Sequence, residues 1–170
     1  MNNIPTLTTN RLVLRAPCFA DWPAYQEMMG SARSVYMGGP FDQTAAWGMF
    51  CHGIALWSLT GYGALTIENR QISAPLGQVE INSGPLFPEP ELGWLLHQNA
   101  EGKGYAYEAA CTLKQWAFDT ARLCTLVSYI DPPNHRSCAL AERLGGTLDP
   151  DAPKQDPTDL VYRYTAVAPQ

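Results

Sequence analysis

The chain has no surplus of basic residues: 11 Lys and Arg stand against 16 Asp and Glu, a net charge of −5 over 170 residues. A nucleic-acid binder carries a basic stripe, and none is present, so no nucleic-acid partner is expected. An acidic balance suits a cationic substrate such as an amine, and serves solubility more often still. No apolar run approaches the ~18 residues of a membrane span. Met1 to Thr9 lacks the basic and apolar parts of a secretory signal. Five cysteines (Cys18, Cys51, Cys111, Cys124 and Cys138) are an odd number with no C-x-x-C pair. That pattern argues against a disulfide framework and against a zinc site, and a reducing cytoplasm suits it. There are three histidines, His52, His97 and His135, and neither H-E-x-x-H nor G-x-S-x-G occurs.

What is present is enough for one domain over residues 1–170, with 46% apolar residues. Arg11–Arg15 alternates as a half-buried strand, and Asp21–Met29 reads as a helix with Asp21 at its N-cap and Pro23 in its first turn. Thr44 is placed to cap a second helix through Trp57. Gly63–Glu68 and Leu76–Ile81 form a hairpin, and a proline-rich loop, Gly84–Pro90, leads to a strand at Leu92–Leu96. Leu123–Ile130 is a further strand, Asn134 caps a helix ending at Gly145-Gly146, and Asp159–Thr165 closes the sheet.

The central stretch is strand, glycine turn, helix. Gly102-Lys103-Gly104 follows Leu92–Leu96, and from Tyr105 apolar residues fall on one helical face through Ala117. The first backbone N–H groups of a helix have no partner within it, and no Ser, Thr, Asp or Asn adjoins Tyr105 to cap them. An anion, above all a phosphate, fits such an end. The P-loop pattern fails because Tyr105 follows Gly104, and the dinucleotide pattern lacks its third glycine.

Glu101-Gly102-Lys103-Gly104-Tyr105-Ala106 resembles the acetyl-coenzyme A signature of the GNAT acyltransferase superfamily, Gln/Arg-x-x-Gly-x-Gly/Ala, with Glu101 at the Gln/Arg position. Thr9, Arg11, Leu12, Leu14, Arg15 and Asp21 resemble the opening of its ribosomal-protein-alanine acetyltransferase-like branch. Asn134, Ser137, Leu144 and Gly145 resemble its second motif, with Gly146 at a usual Phe. The resemblance implies an α+β fold: a mixed, mostly antiparallel sheet of about seven strands with helices on both faces. The strands Leu92–Leu96 and Leu123–Ile130 would splay around the pantetheine arm.

It further implies that Leu95 and Leu96 meet the acyl and pantetheine end, with the Leu95 N–H polarising the thioester. Gly102, Lys103, Gly104, Tyr105 and Ala106 would hold the pyrophosphate, and Asn134 would reach the pantetheine or cap its helix. Glu80 and Glu91 are candidate bases, with Glu80 favoured, and His97 is an alternative. The Tyr that serves many family members as acid is replaced by Ala141, which leaves Ser137 or Tyr129. The implied activity is transfer of the acetyl group of acetyl-CoA to a primary amine, without a metal, in a cytoplasmic monomer or homodimer. A protein N-terminus is the first acceptor considered. A small-molecule amine (polyamine, amino acid or drug) and a non-catalytic acyl-CoA-binding scaffold are the alternatives.

Overall fold

A computed structural model of the protein describes residues 4–166; the ends of the domain read over 1–170 lie outside the described residues. Eight strands form one sheet: β1 (Leu7–Thr8), β2 (Leu12–Arg15), β3 (Ala64–Asn69), β4 (Ala74–Asn82), β5 (Glu91–Leu96), β6 (Thr125–Ile130), β7 (Thr147–Leu148) and β8 (Leu160–Thr165). Their order is β1-β2-β3-β4-β5-β6-β8-β7. Every neighbouring pair is antiparallel except β5 and β6. β1 and β7 have two residues each, too short to leave an alternation in the sequence.

Four α-helices complete the fold: α1 (Trp22–Met29), α2 (Gln43–Leu59), α3 (Tyr105–Asp119) and α4 (His135–Arg143). α3 lies against the sheet through Ala109, Ala110, Leu113 and Ala117, all without solvent exposure. The three alanines keep the helix axis close to β2, β4 and β5, and this layer holds the main core with Val79, Ile81, Leu92 and Leu126. The opposite layer packs Trp22, Tyr25, Met28 and Phe50 of α1 and α2 onto Leu95. No helix among the described residues is long and apolar enough to cross a membrane.

Two expected caps are replaced. Asp21 makes no cap bond to α1. Its carboxylate accepts from Arg15 Nη1 and Nη2 at 2.9 and 2.8 Å, from the Thr66 hydroxyl at 2.8 Å and from Cys18 N–H at 3.0 Å. A buried carboxylate goes to the partner that neutralises it, and a guanidinium does so where a peptide N–H does not. α2 is capped by Asp42, two residues before Thr44; the Asp42 side chain accepts from Ala45 N–H at 2.8 Å, and Thr44 is already inside the helix.

Candidate functional site

β5 and β6 share a single register pair, Glu91 with Val127, and then part. Val127 N–H still donates to Pro90 O at 3.0 Å. One residue further on, the Leu92 carbonyl is taken by the Ser128 hydroxyl at 2.6 Å, and Ser128 Oγ also lies 3.1 Å from the Tyr164 hydroxyl. In an antiparallel ladder the N–H and C=O of one residue point to one neighbour and those of the next residue point away. His97 N–H donates to Leu76 O on the β4 side at 2.7 Å. Leu95 shares that parity and turns its amide toward β4, so it is not placed to donate into the gap. The backbone groups of Leu92, Trp94 and Leu96 face the gap instead.

Beyond the parted strands stands the α3 N-terminus. Gly104 is its N-cap residue with φ of 78°, Gly102 has φ of 72°, and no side chain caps the helix. Both values lie in the left-handed region, where glycine is free of the Cβ penalty. The first intrahelical bond there is Glu108 N–H to Gly104 O, which leaves the amides of Tyr105, Ala106 and Tyr107 pointing outward. The acid in this first turn is drawn off: Glu108 accepts from Arg11 Nε at 2.7 Å and Thr9 Oγ1 at 2.5 Å, while Arg11 Nη1 donates to Lys103 O at 2.9 Å. Arg11 and Thr9 thus hold the glycine loop in place from the far end of the sheet.

A groove of about 480 Å³ joins these features. It brings together Leu95, Leu96, Gly102, Gly104, Tyr105, Ala106, Asn134 and Ser137 from the sequence-predicted set, and adds Trp94, Arg33 and Arg136. Lys103 lines a different groove, where its ammonium donates to Asn99 O at 2.8 Å. His97 lies on that side too, its ring within 3.3 Å of Pro75 O. Asn134 caps α4 by accepting from Ser137 N–H at 3.2 Å. The Ser137 hydroxyl accepts from Trp94 Nε1 at 3.3 Å, so its own proton stays free to be donated.

Glu80 and Glu91 stand one strand apart on the α1/α2 side of the sheet, with Asn82 on the same face. Asn82 Nδ2 donates to Glu91 at 3.1 Å. Two glycines flank the Glu80 side chain. A Cβ on Gly93 would lie 3.4 Å from its Cγ, and one on Gly53 would lie 3.5 Å from Oε2. Burial raises both carboxyl groups. Glu91 reaches about 7, with the Glu80 charge adding and Asn82 and the Tyr129 N–H opposing; Asn82 also opposes the rise at Glu80. Tyr129 packs on Val127 and Val161 of β6 and β8, and burial raises its hydroxyl. Among the described residues no group of three His, Cys, Asp or Glu side chains is arranged around a metal position.

The profile of the family described as "Acetyltransferase (GNAT) domain" matches residues 11–147. The chain belongs to the GNAT acetyltransferase family. An acetyltransferase of known structure from Agrobacterium tumefaciens str. C58 is 56% identical, with 96% of each chain covered and a TM-score of 0.95. A GNAT acetyltransferase from Bacillus anthracis superposes with a TM-score of 0.76 at 19% identity, over 95% of this chain and 98% of that one. The ribosomal L7/L12 alpha-N-protein acetyltransferase RimL, in complex with coenzyme A, superposes with a TM-score of 0.75 at 18% identity over the same shares. The last two establish the shared GNAT fold.

The departures from the GNAT pattern have structural reasons. Glu101 is bridged by Arg33 on one oxygen and by Arg136 Nη1 at 2.9 Å on the other. Burial pushes its carboxyl up, but the two guanidiniums outweigh that and hold it below its usual range. The cluster carries one positive charge in excess, so the carboxylate does not oppose an anion. Gly146 has no room for a phenyl ring: a Cβ there would lie 2.8 Å from Tyr164 Cε1. Ala141 is fully buried in the main core.

The raised Glu91 gives a pH dependence of known sign. Its folded pKa, about 7, exceeds the unfolded 4.5. Its contribution to stability is therefore complete below the unfolded value and is lost as pH rises through the folded one. Thermal melts at about pH 5.5 and about pH 8 are expected to show a lower midpoint at the higher pH, and Glu91→Gln is expected to flatten that fall. A midpoint that rises with pH in the unmodified protein and in Glu91→Gln alike would contradict the assignment.

Proposed function

We propose that the protein is a single-domain cytoplasmic N-acetyltransferase that moves the acetyl group of acetyl-CoA to a primary amine by direct attack. The observation that carries this reading is the continuity of the groove: the gap-facing backbone of β5 runs into the uncapped end of α3. Gly102, Gly104, Tyr105 and Ala106 would receive the pyrophosphate through their amides. The Leu96 and Trp94 backbone would pair with the arm and the thioester, with the Trp94 N–H as the oxyanion donor.

The amine nitrogen attacks the thioester carbon, the C–S bond breaks, and the amine proton passes to Glu80. Glu80 is favoured over Glu91 because its register partner, Gly93, adjoins Trp94. Asn82 and Glu91 complete the acid pair beside it. The leaving thiolate is protonated through the Ser137 hydroxyl, which lies in the groove and takes a proton from solvent as it gives one up.

A protein N-terminal amine suits this site better than a polyamine. An α-amine has a pKa of roughly 7.7–8.0 and gives up its proton to a carboxylate raised by burial more readily than an alkyl amine near ~10.4 does. Glu101 is the single carboxylate among the groove residues, and two arginines neutralise it. Acetyl-CoA at about 1 mM is expected to raise the melting temperature. Release of free thiol is then expected with peptides bearing a free N-terminus and not with polyamines. Stabilisation without thiol release from any amine would make the protein an acyl-CoA-binding scaffold, and absence of both would remove the proposal.

A further inference from the structure

The segment Ala32–Met37, a 3-10 turn between α1 and α2, forms the wall of the groove opposite α3 and α4. Val35, Tyr36 and Met37 stand 51%, 44% and 37% exposed on it. Its base is fixed from behind, where the fully buried Ser34 donates to Met29 O at 2.8 Å. Its tie across the groove is Arg33. One terminal nitrogen of that guanidinium, Nη2, meets Glu101 and also donates to Leu96 O at 3.2 Å. Arg33 Nε is buried with no hydrogen-bond partner among the described residues. Glu101 immediately precedes the glycine loop, and its second oxygen is held by Arg136 of α4.

Two consequences follow from these contacts. Leu96 O faces the gap, so the arginine stands at a backbone position that a bound amide arm would use. An arm that takes Leu96 O displaces Arg33 from that atom but leaves it on Glu101, with its Nε–H free to find a new acceptor. The glycine loop and the facing wall of the groove are therefore joined by one charge-assisted contact whose partners change when the groove fills.

We infer that Arg33 is a positioning residue that transmits occupation of the glycine loop and of Leu96 O to the facing groove wall Ala32–Met37 through Glu101. The inference rests on the reading of this groove as the coenzyme site. Arg33 touches neither reacting atom; it sets where Val35, Tyr36 and Met37 stand once the groove is filled.

Hydrogen exchange on the full chain, with and without saturating coenzyme A, tests it. In the unmodified protein, coenzyme A is expected to slow exchange about threefold or more both in 101–107 and in 32–37. In Arg33→Ala the slowing at 101–107 is expected to persist and that at 32–37 to disappear. Arg33→Lys is expected to behave likewise, since an ammonium lacks the planar fork, and it serves if the alanine variant fails to fold. Slowing at 32–37 that survives in both variants overturns the inference, as does a wall that never responds while 101–107 does. No response at 101–107 in the unmodified protein removes the coenzyme reading and the inference together.

Discussion

Gly104→Asp is expected to abolish coenzyme binding while leaving the protein folded. Gly104 has φ of 78°, and an L-residue held there costs about 1–2 kcal/mol. The added Cβ would sit 3.4 Å from Arg11 Nη2, close but not clashing, so the fold accommodates it. The larger effect is electrostatic. A carboxylate at this point caps the free amides of α3 itself and repels a second anion from them. Losing two or three charge-assisted hydrogen bonds, each worth roughly 1.5–3 kcal/mol, weakens the coenzyme by at least ~100-fold. Thermal shift with acetyl-CoA at about 1 mM reads this directly as a lost increment. Gly104→Ala separates the two parts, since it carries the strain without the charge and is expected to bind more weakly by about tenfold. An unchanged increment in Gly104→Asp would put the phosphates elsewhere.

The second large effect is expected at Glu80. Glu80→Gln keeps the shape of the side chain between Gly53 and Gly93 but cannot accept the amine proton. Turnover is expected to fall by ~10²–10⁴, with coenzyme stabilisation unchanged. The pH profile carries more information than the rate alone. Burial raises the Glu80 carboxyl, so the rate of the unmodified protein is expected to rise with pH as that group loses its proton. Glu80→Gln is expected to lose this rising limb. Glu91 is raised by the Glu80 charge and so ionises after it, and Glu91→Gln is expected to leave the limb in place. A lost limb in Glu91→Gln with an intact one in Glu80→Gln would transfer the role to Glu91.

The glycine loop was legible because its chemistry is local. Two positive φ angles two residues apart demand glycine, and a helix that starts without a cap advertises its own free amides. The acid pair was legible in part. The alternation of β4 puts Glu80 opposite in sense to Val79 and Ile81, but its neighbours Gly53 and Gly93 come from other elements. The parity of β5 was not legible. Whether Leu95 or its neighbours face the gap depends on the register with β4, and a shift of one residue exchanges the two. Asp21 has the sequence position of a helix cap; Arg15 and Thr66 claim it through the fold. Arg33 leaves no trace at all, because its partner lies 68 residues away.

Ser128 bears on how far any guest can travel into the protein. Two parallel strands that begin to zip tend to continue, since each new rung satisfies polar atoms otherwise left dry. By giving its hydroxyl to Leu92 and resting against Tyr164, this one side chain ends the zipper after a single rung. The floor of the cleft is thus set from the strand opposite, by a residue that need never touch what the cleft admits.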